Sequence, residues 1–206
     1  MLSNLSPIDI VIVIASLVVS LGIHEAMHAF VAHKLGDDTA YREGRLTLNP
    51  LKHIDFLTTI VLPTALLIMG LPPILVAKPV PIDPSQVRHE EYGSALVALA
   101  GPFTNLGLAI IGAALTHLVG GQGLLGSIFG IFTVLNAGIF IFNMLPIPPL
   151  DGSRLLYAFA PEPLQRVMYQ IESMGFIVLI VILLALSSVI SPILTYLNNF
   201  VLGFLF

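Results

Sequence analysis

The stretch IDIVIVIASLVVSLGIHEAMHAFVA, residues 8–32, contains two histidines and a glutamate inside an apolar segment that is long enough to cross a membrane. A transmembrane helix needs about 20 consecutive apolar residues. Ionisable side chains are costly in such surroundings and are retained there mainly where they have a function. His24, Glu25 and His28 therefore indicate a functional site within a membrane span.

The composition of the whole chain is that of an integral membrane protein. Of its 206 residues, 56% are hydrophobic and 10% are charged, and the mean hydropathy is +0.97, whereas about 25% of residues are charged in a typical soluble domain. The first segment lacks a basic leader, so we expect a permanent span and not a signal peptide. We predict spans at roughly 8–32, 92–118, 124–146 and 173–191, with 54–77 and 192–206 less certain from composition.

Residue types that are absent or scarce exclude several classes of function. The chain has no cysteine, which excludes disulfides, thiolate catalysis and cysteine-ligated metal sites. A bound metal would have to use histidine, carboxylate or amide ligands. The net charge is −4 and the eight lysines and arginines are scattered, so we predict no nucleic-acid partner.

The spacing of the charged residues in the first span indicates a metal site. Residues four apart lie on the same face of a helix, so His24 and His28 can bind one ion. Glu25 is rotated by about 100° and can reach a water molecule beside that ion. His-Glu-x-x-His is the zinc and general-base motif of metalloproteases. A chance match, or the proton-relay or ion-translocation site of a small transporter, is the alternative.

Asp151 is the predicted third ligand, because a catalytic zinc needs three protein ligands and an open position. Beyond residue 92 the acidic residues are Asp151, Glu162 and Glu172. In FNMLPIPPLDGSRLL, residues 142–156, three prolines interrupt the helix and free the backbone to line a cavity. The alternative is that Asp151 only caps the helix that it begins.

HEAMH (24–28) and NMLPIPPLDG (143–152) together resemble the motifs of the site-2 protease family of intramembrane zinc metalloproteases. The second family motif is Asn-x-x-Pro-x-x-x-x-Asp-Gly, and this chain matches every fixed position. TLNPLKHID (47–55), AKPVPIDP (77–84) and ALAGPFTN (98–105) resemble blocks of a compact bacterial and archaeal branch that lacks PDZ and CBS modules.

The resemblance implies a role for each matching residue. His24, His28 and Asp151 would bind one zinc ion per chain, and Glu25 would be the general base. Asn143 would hydrogen-bond the scissile carbonyl or its developing oxyanion. Asn105 lies in a family motif, where a packing role and a functional role are equally compatible with the sequence.

We therefore expect an all-α, polytopic membrane protein with a zinc site between transmembrane helices, forming a single domain over residues 1–206. The expected activity is cleavage of transmembrane segments of membrane proteins. The competing hypotheses are a small transporter and an inactive relative that binds helices without cutting them.

The topology follows from bringing Asp151 to the depth of His24. Placing Asp151 there requires segment 54–77 to be re-entrant, which puts all eight basic residues on one face of the membrane. By the positive-inside rule this face is cytoplasmic, so we expect the active site towards the cytoplasm of a prokaryotic cell membrane and an external N-terminus. The chain departs from the family pattern at Phe56, Thr58 and Val76, all within or beside that segment. We also expect residues 40–48 to offer a strand edge to an extended substrate.

Overall fold

The structure is a computed structural model, and it describes residues 6–53 and 78–206. The predicted re-entrant segment 54–77, with its departures from the family pattern, lies outside the described residues. In chain order the elements are α1 (Pro7–Lys34), α2 (Thr39–Arg42), a 3-10 helix (Pro50–His53), α3 (Glu90–Leu118), α4 (Gly123–Asn143), α5 (Asp151–Phe159), α6 (Glu162–Ser173), α7 (Phe176–Ala185) and α8 (Ser187–Leu205).

Every regular element in the described ranges is a helix, which confirms the predicted all-α class. Four of these helices, α1, α3, α4 and α8, are long and apolar enough to cross a membrane. Helices α6 and α7 meet at a bend of 108° and would count as a fifth span if they form one broken crossing. The chain is therefore a polytopic helical membrane protein.

The prediction of one span over 173–191 is wrong. Helix α7 ends at Ala185, and α8 begins at Ser187 and runs through most of the segment 192–206 that composition left uncertain. Residues 173–206 carry no charge, so hydropathy is high on both sides of the break. Composition alone therefore could not locate the boundary between two apolar helices.

The first helix begins at a well-formed N-terminal cap. The Ser6 side chain accepts a hydrogen bond from the backbone of Asp9, and the Asp9 carboxylate accepts one from the backbone of Ser6. Pro7 occupies the first turn, where its missing N–H costs nothing. These residues define where α1 starts, and therefore set the depth of the histidines two-thirds of the way along it.

Helix α3 is the centre of the fold and packs against α1, α4 and α5. Small residues allow these close approaches. A Cβ on Gly112 would lie 2.6 Å from the Thr133 hydroxyl of α4, and one on Gly22 would lie 2.8 Å from Pro50. The packing of α5 on α3 brings the start of α5 towards the histidines of α1.

The predicted strand edge over residues 40–48 is wrong. Residues 39–42 form helix α2, and turns follow it. Ala40 of this helix is fully buried against Ala29 and Val80. Arg45 is also buried, in contact with the chain that follows residue 77.

Candidate metal centre

One face of α1 is buried from Ile12 to Ala32 and carries the histidines. Buried residues recur at every fourth position, in the order Ile12, Ser16, Ser20, His24, His28 and Ala32. This spacing follows a single stripe of the helix. The polar members of the stripe are therefore covered by other helices, and they must find their hydrogen-bond partners inside the protein.

Asp151 meets the two histidines at one point. Its Oδ2 lies 3.1 Å from His24 Nε2 and 3.4 Å from His28 Nε2, and the two Nε2 atoms are 3.0 Å apart. The residue occupies the first position of α5, and the N-cap position belongs to the preceding residue, Leu150. The helix-capping alternative for Asp151 therefore has no support in the geometry.

The three atoms fit the coordination sphere of a zinc ion. Bonds of about 2.0–2.1 Å in a tetrahedral arrangement separate neighbouring ligand atoms by about 3.3 Å, close to the distances observed. Two imidazole nitrogens and a carboxylate oxygen are also ligands that zinc accepts. Asp151 Oδ2 is buried without a hydrogen-bond donor of its own, as expected of an atom that binds a cation. In the described residues, this is the group of three that could hold a metal.

Gly101 of α3 lies directly against both imidazole rings. A Cβ built on it would be 2.5 Å from the Nε2 atoms of His24 and of His28. The next residue, Pro102, cannot donate a hydrogen bond to the Ala98 carbonyl one turn earlier. Gly101 thus leaves room for the two imidazole nitrogens, and Pro102 removes one backbone hydrogen bond of α3 beside them.

The other nitrogen of each imidazole is held by α3. His28 Nδ1 lies 2.7 Å from the Val97 carbonyl oxygen, and His24 Nδ1 lies 2.6 Å from Asn105 Oδ1. A carbonyl oxygen only accepts, so His28 Nδ1 carries the proton and Nε2 is left with a free lone pair. Partners of this kind orient metal-binding histidines in proteins.

Glu25 lies beside the histidines without joining the cluster of ligand atoms. Its Oε2 accepts a hydrogen bond of 2.9 Å from the Val80 backbone N–H. Glu25, His28 and Asp151 line the same cavity, which has a volume of about 210 Å³ and is large enough for water. The structure therefore places a carboxylate next to space for a water molecule, as the motif predicts.

Comparisons of the sequence with known proteins point to one family. The model of peptidase family M50 matches residues 119–186, which include Asp151. YwhC of Bacillus subtilis, named as a candidate zinc metalloprotease, is 40% identical over 178 residues, covering 82% of this chain and 78% of YwhC. The chain belongs to peptidase family M50. This membership confirms the resemblance to the site-2 proteases.

Two further M50 relatives bear similar names. Rip2 of Mycolicibacterium smegmatis, also named as a candidate zinc metalloprotease, is 30% identical over 186 residues, covering 84% of this chain and 67% of Rip2. MJ0611 of Methanocaldococcus jannaschii, named in the same way, is 36% identical over 137 residues, covering 65% of this chain and 62% of MJ0611. No solved structure matches this M50 chain.

Hydrogen bonds hold the segment that follows residue 77 across the candidate site. Arg45 donates to the Lys78 carbonyl at 2.8 Å, and the Asp83 backbone N–H donates to Asp37 at 2.8 Å. Hydrogen bonds from Ser85 and from the Gln86 side chain hold the pKa of Asp83 below its ordinary value. Together with the bond from Val80 to Glu25, these contacts fix the segment over the cavity.

An ion pair between α5 and α6 lines the far side of the cavity. Arg154 of α5 donates to the Glu172 carboxylate of α6, and both side chains are partly exposed. Gly152 lets α5 start close to the preceding loop, because a Cβ there would lie 2.4 Å from the Met144 carbonyl oxygen. The Asp-Gly pair of the M50 motif thus combines a candidate metal ligand with a close backbone approach.

Asn143 makes a hydrogen bond within its own helix in this structure. Its side-chain amide donates to the Ile139 carbonyl of its own helix at 3.0 Å. The family role assigned to Asn143 therefore stays a prediction. His53 is 2% exposed and bonds to the Thr47 carbonyl oxygen at 2.9 Å.

Sequence reasoning missed three groups around the site: Ser20, Asn136 and the Val80 backbone. Asn136 is fully buried in α4 and accepts a hydrogen bond from Asn105 at 2.8 Å. Its side-chain nitrogen lies 2.9 Å from Ser20 Oγ. Two signals were available, since Asn136 is a polar amide in the middle of an apolar span and Ser20 lies one turn before His24.

Proposed function

We propose that this chain is an intramembrane protease that cleaves transmembrane segments, with zinc held by His24, His28 and Asp151. Its membership of family M50, together with the names of its relatives, makes it a zinc metalloprotease. The observation that carries the finer proposal is the meeting of three ligand atoms, 3.0–3.4 Å apart, two of which belong to a helix that is a candidate membrane span.

The metal and Glu25 divide the chemistry between them. Zinc, when bound, polarises the scissile carbonyl and lowers the pKa of a coordinated water to about 7. Glu25 takes one proton from the attacking water as the new C–O bond forms at the carbonyl carbon. As the C–N bond breaks, Glu25 gives that proton to the leaving amine nitrogen. The products are a carboxyl terminus and an amino terminus, so atoms and protons balance.

The proposed substrate is a membrane-protein helix that unwinds before it is cut. Amides inside a helix already bond along the backbone, which shields the scissile carbonyl. The cavity is small and lies between α1, α3 and the start of α5, so it favours an extended chain over an intact helix. In this proposal residues 1–206 form one intramembrane domain.

We also propose that the active site lies towards the cytoplasm. The Arg88 backbone N–H donates to the Leu35 carbonyl at the end of α1, and Arg45 donates to the Lys78 carbonyl. These contacts gather basic residues at the end of the bundle nearer His28. Cytoplasmic faces carry an excess of lysine and arginine, which supports this orientation in a prokaryotic cell membrane.

A cleavage assay in lipid vesicles tests the activity. The purified protein is reconstituted with a substrate that contains one transmembrane segment, and the fragments are mapped by mass spectrometry. We expect cuts within the hydrophobic segment. The variant Glu25→Gln should keep zinc and slow cleavage by about 10²- to 10⁴-fold, while Glu91→Gln, an exposed glutamate of α3, should cleave normally.

Two outcomes would overturn the proposal. Cleavage by Glu25→Gln at the wild-type rate would exclude Glu25 as the base. Cuts confined to residues outside the hydrophobic segment would exclude intramembrane cleavage, although the chain would still be a zinc metalloprotease.

A further inference from the structure

A chain of buried amides connects the His24 imidazole to the backbone of α4. Asn105 of α3 bonds to His24 Nδ1 at 2.6 Å, and its nitrogen donates to Asn136 Oδ1 at 2.8 Å. The Asn136 nitrogen donates to the Phe132 carbonyl oxygen at 2.8 Å. Asn105 and Asn136 are both fully buried, so water cannot substitute for any of these partners.

The direction of this chain is fixed at one end. The Phe132 carbonyl oxygen can only accept, so the atom of Asn136 that faces it must be the amide nitrogen. Asn136 Oδ1 then faces Asn105 and requires the Asn105 nitrogen there. Asn105 Oδ1 is left to face His24, and an oxygen in that position requires a proton on His24 Nδ1.

We propose that the Phe132 carbonyl sets the tautomer of His24 through Asn136 and Asn105, making these two asparagines positioning residues of the metal centre. A proton on Nδ1 leaves the lone pair of Nε2 free, and Nε2 is the atom that faces Asp151 and His28. If Asn105 turned over, its N–H groups would face Nδ1, the proton would move to Nε2, and that nitrogen could not bind a metal.

The two histidines are therefore oriented by different means. His28 is fixed directly by the Val97 carbonyl oxygen, which cannot turn over. His24 is fixed by the Asn105 side-chain amide, which has an oxygen end and a nitrogen end. The hydrogen bond to Asn136 determines which end faces the imidazole. Asn136 thus acts on the metal without touching either the metal ligands or the substrate cavity. This inference rests on the proposed role of His24 as a zinc ligand.

Zinc affinity, measured by competition with a fluorescent chelator, tests the inference. We expect Asn136→Leu to weaken zinc binding by about 10- to 100-fold, the usual effect of removing an outer partner of a metal ligand. Thr133→Val is the matched control, since Thr133 is equally buried on the same helix and its hydroxyl donates to the Phe129 carbonyl oxygen of that helix. The control should bind zinc normally.

A rescue separates orientation from packing. Aspartate at position 105 presents an acceptor oxygen to His24 whichever way it turns, so it does not need Asn136. The double variant Asn105→Asp/Asn136→Leu should therefore recover most of the affinity that Asn136→Leu loses. If asparagine at 136 only fills space, the double variant would bind zinc no better than Asn136→Leu. Asn136→Ala replaces the leucine variant if that protein does not fold.

The tautomer can also be read without metal. Solid-state ¹⁵N NMR of the histidine-labelled, zinc-free protein should show the His24 proton on Nδ1 in the wild type and a mixture of tautomers in Asn136→Leu. His24→Ala completes the series. Unchanged zinc affinity in His24→Ala would overturn the metal site itself. If His24→Ala loses zinc affinity but Asn136→Leu keeps the wild-type affinity and tautomer, only the positioning role of the two asparagines is overturned.

Discussion

A methyl group at position 101 should displace the metal ligands while leaving the fold intact. In Gly101→Ala the new Cβ lies 2.5 Å from the Nε2 atoms of His24 and His28, whereas ordinary contact begins at 3.4 Å. Both rings, or the backbone of α3, must move by about 0.9 Å. Zinc sites tolerate deviations of only about 0.2 Å from ideal ligand distances, so we expect at least one ligand bond to be lost.

The size of the effect follows from the energy of zinc binding. Structural zinc sites bind with about 10–16 kcal/mol shared among their ligands, so one lost ligand costs about 3 kcal/mol, or at least about a hundredfold in affinity. The free energy of unfolding changes less than the free energy of zinc binding. Crowding costs about 1–3 kcal/mol, and alanine recovers about 1 kcal/mol relative to glycine in a helix.

Chelator competition and thermal unfolding of the detergent-solubilised protein measure both quantities. Gly107→Ala is the matched control, because it lies on the same helix and a Cβ there meets nothing within 4 Å. It should bind zinc normally and be slightly more stable. Wild-type zinc affinity in a folded Gly101→Ala protein would refute the placement of the imidazoles against α3.

Two other predictions concern the substrate and the orientation. Asn143→Ala should keep its zinc and cleave about 10²- to 10³-fold more slowly, the effect of losing an oxyanion donor; unchanged cleavage kinetics would leave Asn143 with only its bond to its own helix. Because the chain has no cysteine, single cysteines can be labelled with a membrane-impermeant reagent without background. Those at Lys34, Lys78 and Arg154 should be protected from outside and one at Gln122 should react, and external labelling at position 78 would contradict both the orientation and the re-entrant segment 54–77.

The site was predictable from the sequence to the extent that its residues are close together in the chain or stand out chemically. The four-residue spacing within α1 places His24 and His28 on one face, and Asp151 is one of three acidic residues in the last 115 of the chain. The structure brings these three side chains together. Their roles as zinc ligands remain predictions.

The partners of those side chains could not be predicted, because they depend on packing between distant helices. Asn136 lies 31 residues beyond Asn105 and 116 beyond Ser20, and no local pattern links them. The bond from Val80 to Glu25 uses a backbone group that any residue except proline supplies. The break before Ser187 was missed for a different reason, since hydropathy does not change across it.

Metal content per chain tests the central claim most directly. The zinc content of the purified protein is measured by inductively coupled plasma mass spectrometry. The wild type is compared with the single variants His24→Ala, His28→Ala, Asp151→Ala and Glu25→Gln. We predict one zinc per chain in the wild type and in Glu25→Gln, and loss of zinc in the three alanine variants, since a general base is not a ligand. Zinc retained at the wild-type level after His24→Ala or Asp151→Ala would contradict the site proposed here.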